Sequence, residues 1–271
     1  MLNMELLTEW NAWRPGAPPH VLDADRPLLS SDRSAQAIEL RSSWREAYSA
    51  DDFAAPGDKS LHLGLLPTPF FGDLRRATIF LLLLNPGLGP HDYYGEHEVP
   101  EFRKALLANL RQDFSGNPFP FLFLDPRFSW HGGFEWWHTK LARVIDQLAN
   151  SWATSFAIAR SRLASEIASI ELLPYHSASF RDADHWLKKL PSVGLARDFV
   201  TDVVLPRVRS RNAIVIVTRK AREWNLPSEH GVVIYNAGEA RAVHLTPTSK
   251  GGKAMLDFLL LGEDGPDLSA A

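Results

Sequence analysis

No cysteine occurs among the 271 residues, which removes disulfides, thiolate nucleophiles, cysteine zinc sites and cysteine-held iron–sulfur clusters together. Positive charge is not in excess either. The 29 Lys and Arg stand against 32 Asp and Glu, a formal net charge of −3, so any attraction to a polyanion has to come from a local surface. Long apolar runs are missing as well: none reaches the ~18 residues that span a bilayer, and Glu5 and Glu9 stand where a secretory leader carries Lys or Arg. A cytoplasmic protein with no membrane partner is expected. The chain also has no G-x-S-x-G, no P-loop and no H-E-x-x-H, and GLGPHD at Gly87–Asp92 puts Asp92 where the dinucleotide fingerprint needs its third glycine. His131, Glu135 and His138 fall near one predicted helix, but the two histidines lack the i,i+4 spacing of a metal pair. Neither a metal nor another cofactor is expected.

What is present is enough apolar material, 45% of the chain, for one sizeable core. The stretch around which the rest is organised is ATIFLLLLNPGLGPHDYYGE, Ala77–Glu96. Its apolar run Ile79–Leu84 has the length of a strand buried on both faces, and Asn85-Pro86-Gly87 stops it. A polar loop therefore sits at the carboxyl end of a central strand, where ligands of open α/β sheets gather. A plain turn made by Pro and Gly is the alternative.

Residues 1–60 are expected to form an N-terminal extension packed on the core, with a helix at Ala35–Tyr48, and residues 61–271 a single α/β unit. Leu61–Ala77 holds too much Pro and Gly for a regular element. Further helices are predicted at Val99–Gln112, Glu135–Leu148, Phe156–Ile167, Asp184–Leu190 and Ala196–Leu205, with an extended run at Phe119–Leu124. Buried strands are predicted at Ile167–Leu173, Ala213–Val217 and Gly231–Ala237, before a closing loop and helix and a frayed end, GEDGPDLSAA. Alternating strands and helices predict a three-layer α/β/α fold with a mainly parallel central sheet. The aromatics Phe128, Trp130, Phe134, Trp136 and Trp137 suit either a base-stacking surface or, more commonly, a core. A basic run, Arg207, Arg209, Arg211, Arg219, Lys220 and Arg222, contains no acid and suits either phosphate or solvent.

Three polar tips follow predicted strands or sit near them: Asn85-Pro86-Gly87, Glu171–Ser177, and HLTPTS at His244–Ser249, with Gly251 and Gly252 after it. The first and third together resemble the two diagnostic loops of the uracil-DNA glycosylase superfamily, the first especially that of its mismatch-specific branch. The resemblance spans roughly Pro67–Leu259. It implies a monofunctional, metal-independent DNA glycosylase that works as a monomer on a flipped base, in base repair or in defence against phages carrying modified DNA.

Residue by residue, the resemblance implies that Asn85 positions the attacking water and that His244 donates to the departing base. Pro86, Gly87, Leu88, Tyr93, Tyr94 and Glu171 would line the base. His176, Ser177, Thr246, Thr248, Ser249 and Lys250 would meet the DNA backbone. Cleavage of an N-glycosidic bond puts positive charge on the sugar and negative charge on the base, which is the work such groups would do. Two positions depart from the family. Gly87 replaces the tyrosine that crowds the pyrimidine C5 in the uracil enzymes, and Glu171 stands where an Asn reads the base. If Glu171 is ionised it can only accept hydrogen bonds, so the expected target is a C5-modified pyrimidine, most plausibly a cytosine type, rather than uracil. The alternatives are a non-catalytic nucleic-acid-binding module and a hydrolase of free nucleosides.

Overall fold

The computed structural model describes residues 4–31, 38–41, 43–49, 60–179, 185–236, 238–239 and 243–261. In chain order the first elements are helices α1 (Glu5–Ala12) and α2 (Arg26–Ser31), strand β1 (Ile38–Glu39), helix α3 (Trp44–Tyr48) and strands β2 (Leu61–His62), β3 (Phe70–Phe71) and β4 (Ile79–Leu82). Helices α4 (Pro90–Glu98), α5 (Pro100–Arg111), α6 (Gly132–Ser151) and α7 (Phe156–Glu166) lead to β5 (Ile167–Ile170). Then come α8 (Trp186–Lys189), α9 (Pro191–Phe199), a π-helical turn (Val200–Val204), α10 (Leu205–Arg209), β6 (Ile214–Val217), α11 (Ala221–Trp224), β7 (Val232–Ile234) and α12 (Lys250–Leu261).

The main sheet has five strands in the order β3-β5-β4-β6-β7; β5, β4, β6 and β7 run parallel and only β3 is antiparallel, against β5. β4 is central, and all four of its residues are buried. Its alternation divides the core: Phe80 and Leu82 join Leu6, Trp10, Phe199 and Val204, whereas Ile79 and Leu81 join Leu141, Ile145, Leu163 and Met255. Helices thus cover both faces, which is why β4 is apolar throughout rather than alternating. The chain is a mixed α/β protein whose arrangement is compatible with three layers.

Several sequence expectations need correction. The helix expected at Ala35–Tyr48 is confined to Trp44–Tyr48, preceded by the two-residue strand β1 paired in parallel with β2; residues 35–37 and 42 of it lie outside the described residues. The segment Leu61–Ala77 is not irregular throughout, because Phe70 and Phe71 pair with Ile170 and Ser169. Phe119–Leu124 is not extended: Leu122–Leu124 and Pro126–Phe128 are 3-10 turns, the second capped by Asp125, whose side chain accepts from the Arg127 amide. The start of the helix expected at Asp184 and the end of the strand expected at Ala237 lie outside the described residues, as does the terminal GEDGPDLSAA.

α4 is the element that the sequence pattern conceals. Pro90 occupies its first turn, and the Asp92 carboxylate accepts from the Gly89 amide at 2.6 Å, so the polar loop turns directly into a helix.

Candidate active site at the carboxyl ends of the strands

The end of β4 is held from several sides. The Leu82 carbonyl accepts from Thr218 N (3.0 Å) and Thr218 Oγ1 (2.9 Å), the Leu83 carbonyl from Trp224 Nε1 (3.0 Å), and the Leu84 carbonyl from Leu173 N (2.8 Å). Asn85 is thereby launched from a fixed base. Its Nδ2 donates to Ser177 Oγ at 3.0 Å, which leaves Oδ1 without a partner among the described residues and orients it as an acceptor. Gly87 then turns the chain with φ +69, and a Cβ placed there would meet nothing within 4 Å.

His176 and Asp92 fix this loop from behind. His176 Nδ1 donates to the Gly87 carbonyl at 2.9 Å, and burial lowers the His176 pKa while the Asp92 charge works in the opposite sense. A neutral His176 with its proton on Nδ1 follows. The Asp92 carboxylate lies 3.3 Å from His131 Nε2. Burial opposes the charge of Asp92, but the contact and charge of His131, the charge of His176 and the Gly89 amide together outweigh it and hold its pKa down at about 2. The His131 ring stacks between Phe102 (4.6 Å) and Phe123 (5.3 Å), and its Nδ1 accepts from the Gly133 amide at the start of α6. Loop, histidines and α6 therefore form one polar network inside an aromatic wall.

Glu171 follows β5 directly, with its amide donating to the Pro69 carbonyl at 2.8 Å. Only 4% of the residue is exposed, and its carboxyl has no hydrogen-bond partner among the described residues. Burial pushes its pKa well above the carboxylate range, with Arg219 acting against the shift. Burial thus favours the protonated carboxyl, with one donor and acceptor capacity besides, and works against the expected ionised, acceptor-only Glu171.

The third loop, which follows β7, is satisfied by its own contacts. Ser249 Oγ donates to the Thr246 carbonyl (2.8 Å) and accepts from Gly252 N (3.1 Å), Gly251 N donates to Tyr235 Oη (2.9 Å), and the hydroxyls of Thr246 and Thr248 lie 3.4 Å apart. Lys250 Nζ is spent on the Ile234 carbonyl (2.5 Å) and Glu239 (2.7 Å). His244 is exposed; among the described residues only its carbonyl is engaged, by Tyr235 Oη at 3.4 Å.

Among the expected site residues, then, Asn85, Pro86, Gly87 and Glu171 gather at the ends of β4 and β5, and Val243–Ser249 lies at the same end of the sheet, beyond β7. Others are placed differently. Tyr93 is fully buried, its hydroxyl 3.2 Å from His62 Nδ1, so it is a core residue and lines no base site. Leu88 packs against the cluster of Ala47, Leu65 and Tyr93. Tyr94 is 43% exposed and meets Trp44 and Trp130 edge-on. His176 and Ser177 are buried and tie loops together instead of facing a DNA backbone. Of the basic run, Arg207 donates to the Ala77 carbonyl (2.6 Å) and lies over Phe80, and Arg209 pairs with Glu229 at 3.1 Å; both serve the fold.

Sequence reasoning weighed Asp92 only against a dinucleotide fingerprint and His131 only as a metal ligand, and it missed Lys140. A Gly-Pro followed by an acid at the third helical position was the available signal for Asp92. For Lys140, one lysine on an amphipathic helix, there was none.

Among the described residues, no group of three or more His, Cys, Asp or Glu side chains could hold a metal ion, and no helix is long and apolar enough to cross a membrane. Comparison with protein-family models, curated proteins and solved structures found no match to this chain.

Proposed function

We propose that the chain is a DNA glycosylase with a fold and site of the uracil-DNA glycosylase kind, hydrolysing the N-glycosidic bond of a flipped pyrimidine with water as the nucleophile. The observation that carries this reading is Asn85. It stands at the carboxyl end of the central strand with Nδ2 committed to Ser177 and Oδ1 left to accept from a water. The ordered carbonyls of Leu82, Leu83 and Leu84 and the His176–Gly87 bond give it the fixed position that such a role requires. Water held by Oδ1 attacks the sugar C1′ as the bond to the base nitrogen breaks; the bond electrons leave with the base, an exposed His244 is available to donate a hydrogen bond to it, and the proton shed by the water ends on the base by way of solvent. The protein acts without a metal and as a monomer.

Glu171 as a neutral acid can donate to a ring acceptor and accept from a ring or amino donor, so its pairing suits both uracil and cytosine edges. Discrimination then rests on Gly87, where open space leaves room for a substituent at the pyrimidine C5. The target in this reading is a C5-substituted pyrimidine. The test is incubation with DNA carrying uracil, unmodified cytosine or C5-modified cytosine, followed by alkali to cut at abasic sites, with free nucleosides alongside. Alkali-labile sites in C5-modified DNA support the reading, and release from free nucleosides alone replaces it with nucleoside hydrolysis.

A further inference from the structure

An open cavity of about 360 Å³ lies between α1 and the turn that leads into β4, at the end of that strand opposite to Asn85. On the α1 side it is lined by Met4, Leu7, Thr8, Asn11 and Ala12, whose i, i+3, i+4, i+7, i+8 spacing is that of one helix face. Leu7 belongs to the core and Met4 packs against it, so the floor is apolar. Thr8, Asn11 and Ala12 are exposed.

Two arginines, Arg14 and Arg75, complete the lining. Arg14 follows α1 and spends Nη1 on the carbonyls of Asn11 and, at 2.8 Å, of Trp13; its Nε and Nη2 stay unspent among the described residues. Arg75 is fixed through its backbone. The Asp73 carboxylate accepts from the amides of Arg75 (3.0 Å) and Arg76 (3.2 Å), and Arg207 donates to the carbonyls of Leu74 (3.4 Å) and Ala77 (2.6 Å) on either side. The Arg75 guanidinium itself makes no hydrogen bond or ion pair among the described residues. Asp73 is spent on this turn and on Arg76 at 4.0 Å, and the acids of α1, Glu5 and Glu9, lie outside the lining. One cavity therefore joins two guanidinium groups that have donors to spare and an apolar floor.

We propose that this cavity binds a small organic phosphomonoester, with the phosphate between Arg14 and Arg75 and an apolar body on Met4, Leu7 and Ala12. The volume is that of a small-molecule site. Two planar forks call for an anion with several oxygens and more than one charge. A phosphomonoester supplies three free oxygens and a charge of about −1.5 to −2 at neutral pH, whereas a carboxylate has a single charge and a single pair of oxygens. The site is separate from the Asn85 loop, and the glycosylase reading stands or falls apart from it.

Isothermal titration of the full chain with phenyl phosphate, inorganic phosphate and benzoate tests this. Phenyl phosphate is expected to bind about tenfold or more tightly than inorganic phosphate, which lacks the apolar body, and than benzoate, which lacks the second charge. Arg75→Gln, which removes a side chain with no other contact among the described residues, should weaken phenyl phosphate by about tenfold, the scale of a charged hydrogen bond. Ala12→Trp, at an exposed position, should block binding by filling the cavity while leaving both charges in place. Arg14→Gln/Arg75→Gln should abolish binding. Thermal unfolding without ligand reports any damage from losing the Arg14 contacts, and if the double variant unfolds, Arg75→Gln and Ala12→Trp decide. No binding of phenyl phosphate by the wild type overturns the proposal, as does unchanged binding in folded Arg75→Gln and Ala12→Trp, which would put the ligand elsewhere. Inorganic phosphate or benzoate bound as tightly as phenyl phosphate overturns the assigned ligand class. Titration with a labelled single-stranded DNA completes the test: affinity unchanged in Arg75→Gln supports a separate small-molecule site, and affinity lost assigns Arg75 to DNA and overturns the proposal.

Discussion

Glu96 offers the sharpest link between burial and a measurable quantity. It lies on α4, the helix into which the Asn85 loop runs, with both carboxyl oxygens within reach of the Leu66 amide (3.1 and 3.0 Å) and Arg103 at 3.6 Å. Burial raises its pKa from 4.5 to about 8, with the Leu66 amide and Arg103 opposing the rise and Asp92 adding to it. Folded protein therefore binds this proton over a range in which unfolded chain has already lost it. The stabilisation is fully present below pH 4.5 and is lost as pH rises towards about 8. At ~1.4 kcal/mol per unit, a shift of that size amounts to about 5 kcal/mol over the whole window. Glu96→Gln keeps the shape and an acceptor for the Leu66 amide but cannot ionise, so it escapes this loss. Urea unfolding of both proteins across the window should show the variant gaining on the wild type by ~1.4 kcal/mol for each pH unit. Subtracting one protein from the other removes groups common to both, such as His20, whose pKa burial lowers to about 4 and whose contribution runs in the opposite direction. Parallel pH curves for the two proteins would refute the assignment of Glu96 as a buried neutral acid.

Two further outcomes concern the chemistry. Asn85→Ala should slow single-turnover base release by a barrier of ~2.7–4 kcal/mol, the scale for one preorganised polar group; loss of its bond to Ser177 should lower stability by only ~1 kcal/mol. His244→Ala, at an exposed side chain, should slow release without moving the unfolding midpoint, and wild-type rates in both variants would remove the catalytic assignment. Gly87→Tyr should abolish release of C5-substituted bases while sparing uracil, because it fills the open space at that position; the positive φ of 69 adds strain of ~1–2 kcal/mol, visible in unfolding. Equal release of both bases by that variant would show that Gly87 does not set the choice.

What the sequence made legible was what a local pattern determines. The run Ile79–Leu84 ending at Asn85-Pro86 reads as a buried strand and its stop, and Pro100–Arg111 as a helix opened by proline, because neighbours in sequence decide both. β3 escaped notice because two phenylalanines become a strand only through pairing with residues almost a hundred positions later. α4 escaped because its buried side, Tyr93, Gly95 and Glu96, mixes one aromatic with a glycine and an acid, and the acid is tolerated inside only because the Leu66 amide and Arg103 meet it there. The same limit separates position from chemistry in the candidate site. The apolar pattern ran the strand on to Leu173 with Glu171 inside it, whereas β5 stops at Ile170 and leaves Glu171 at its end; the protonation of that carboxyl depends on burial and on Arg219, neither of which is local. Read as a carboxylate, it would turn away uracil O4 and favour an amino group; as a buried acid it can face either edge. In the proposed glycosylase reading the choice of base would then fall to Gly87, whose missing side chain was legible from the start, and whose space at φ +69 only the folded loop reveals.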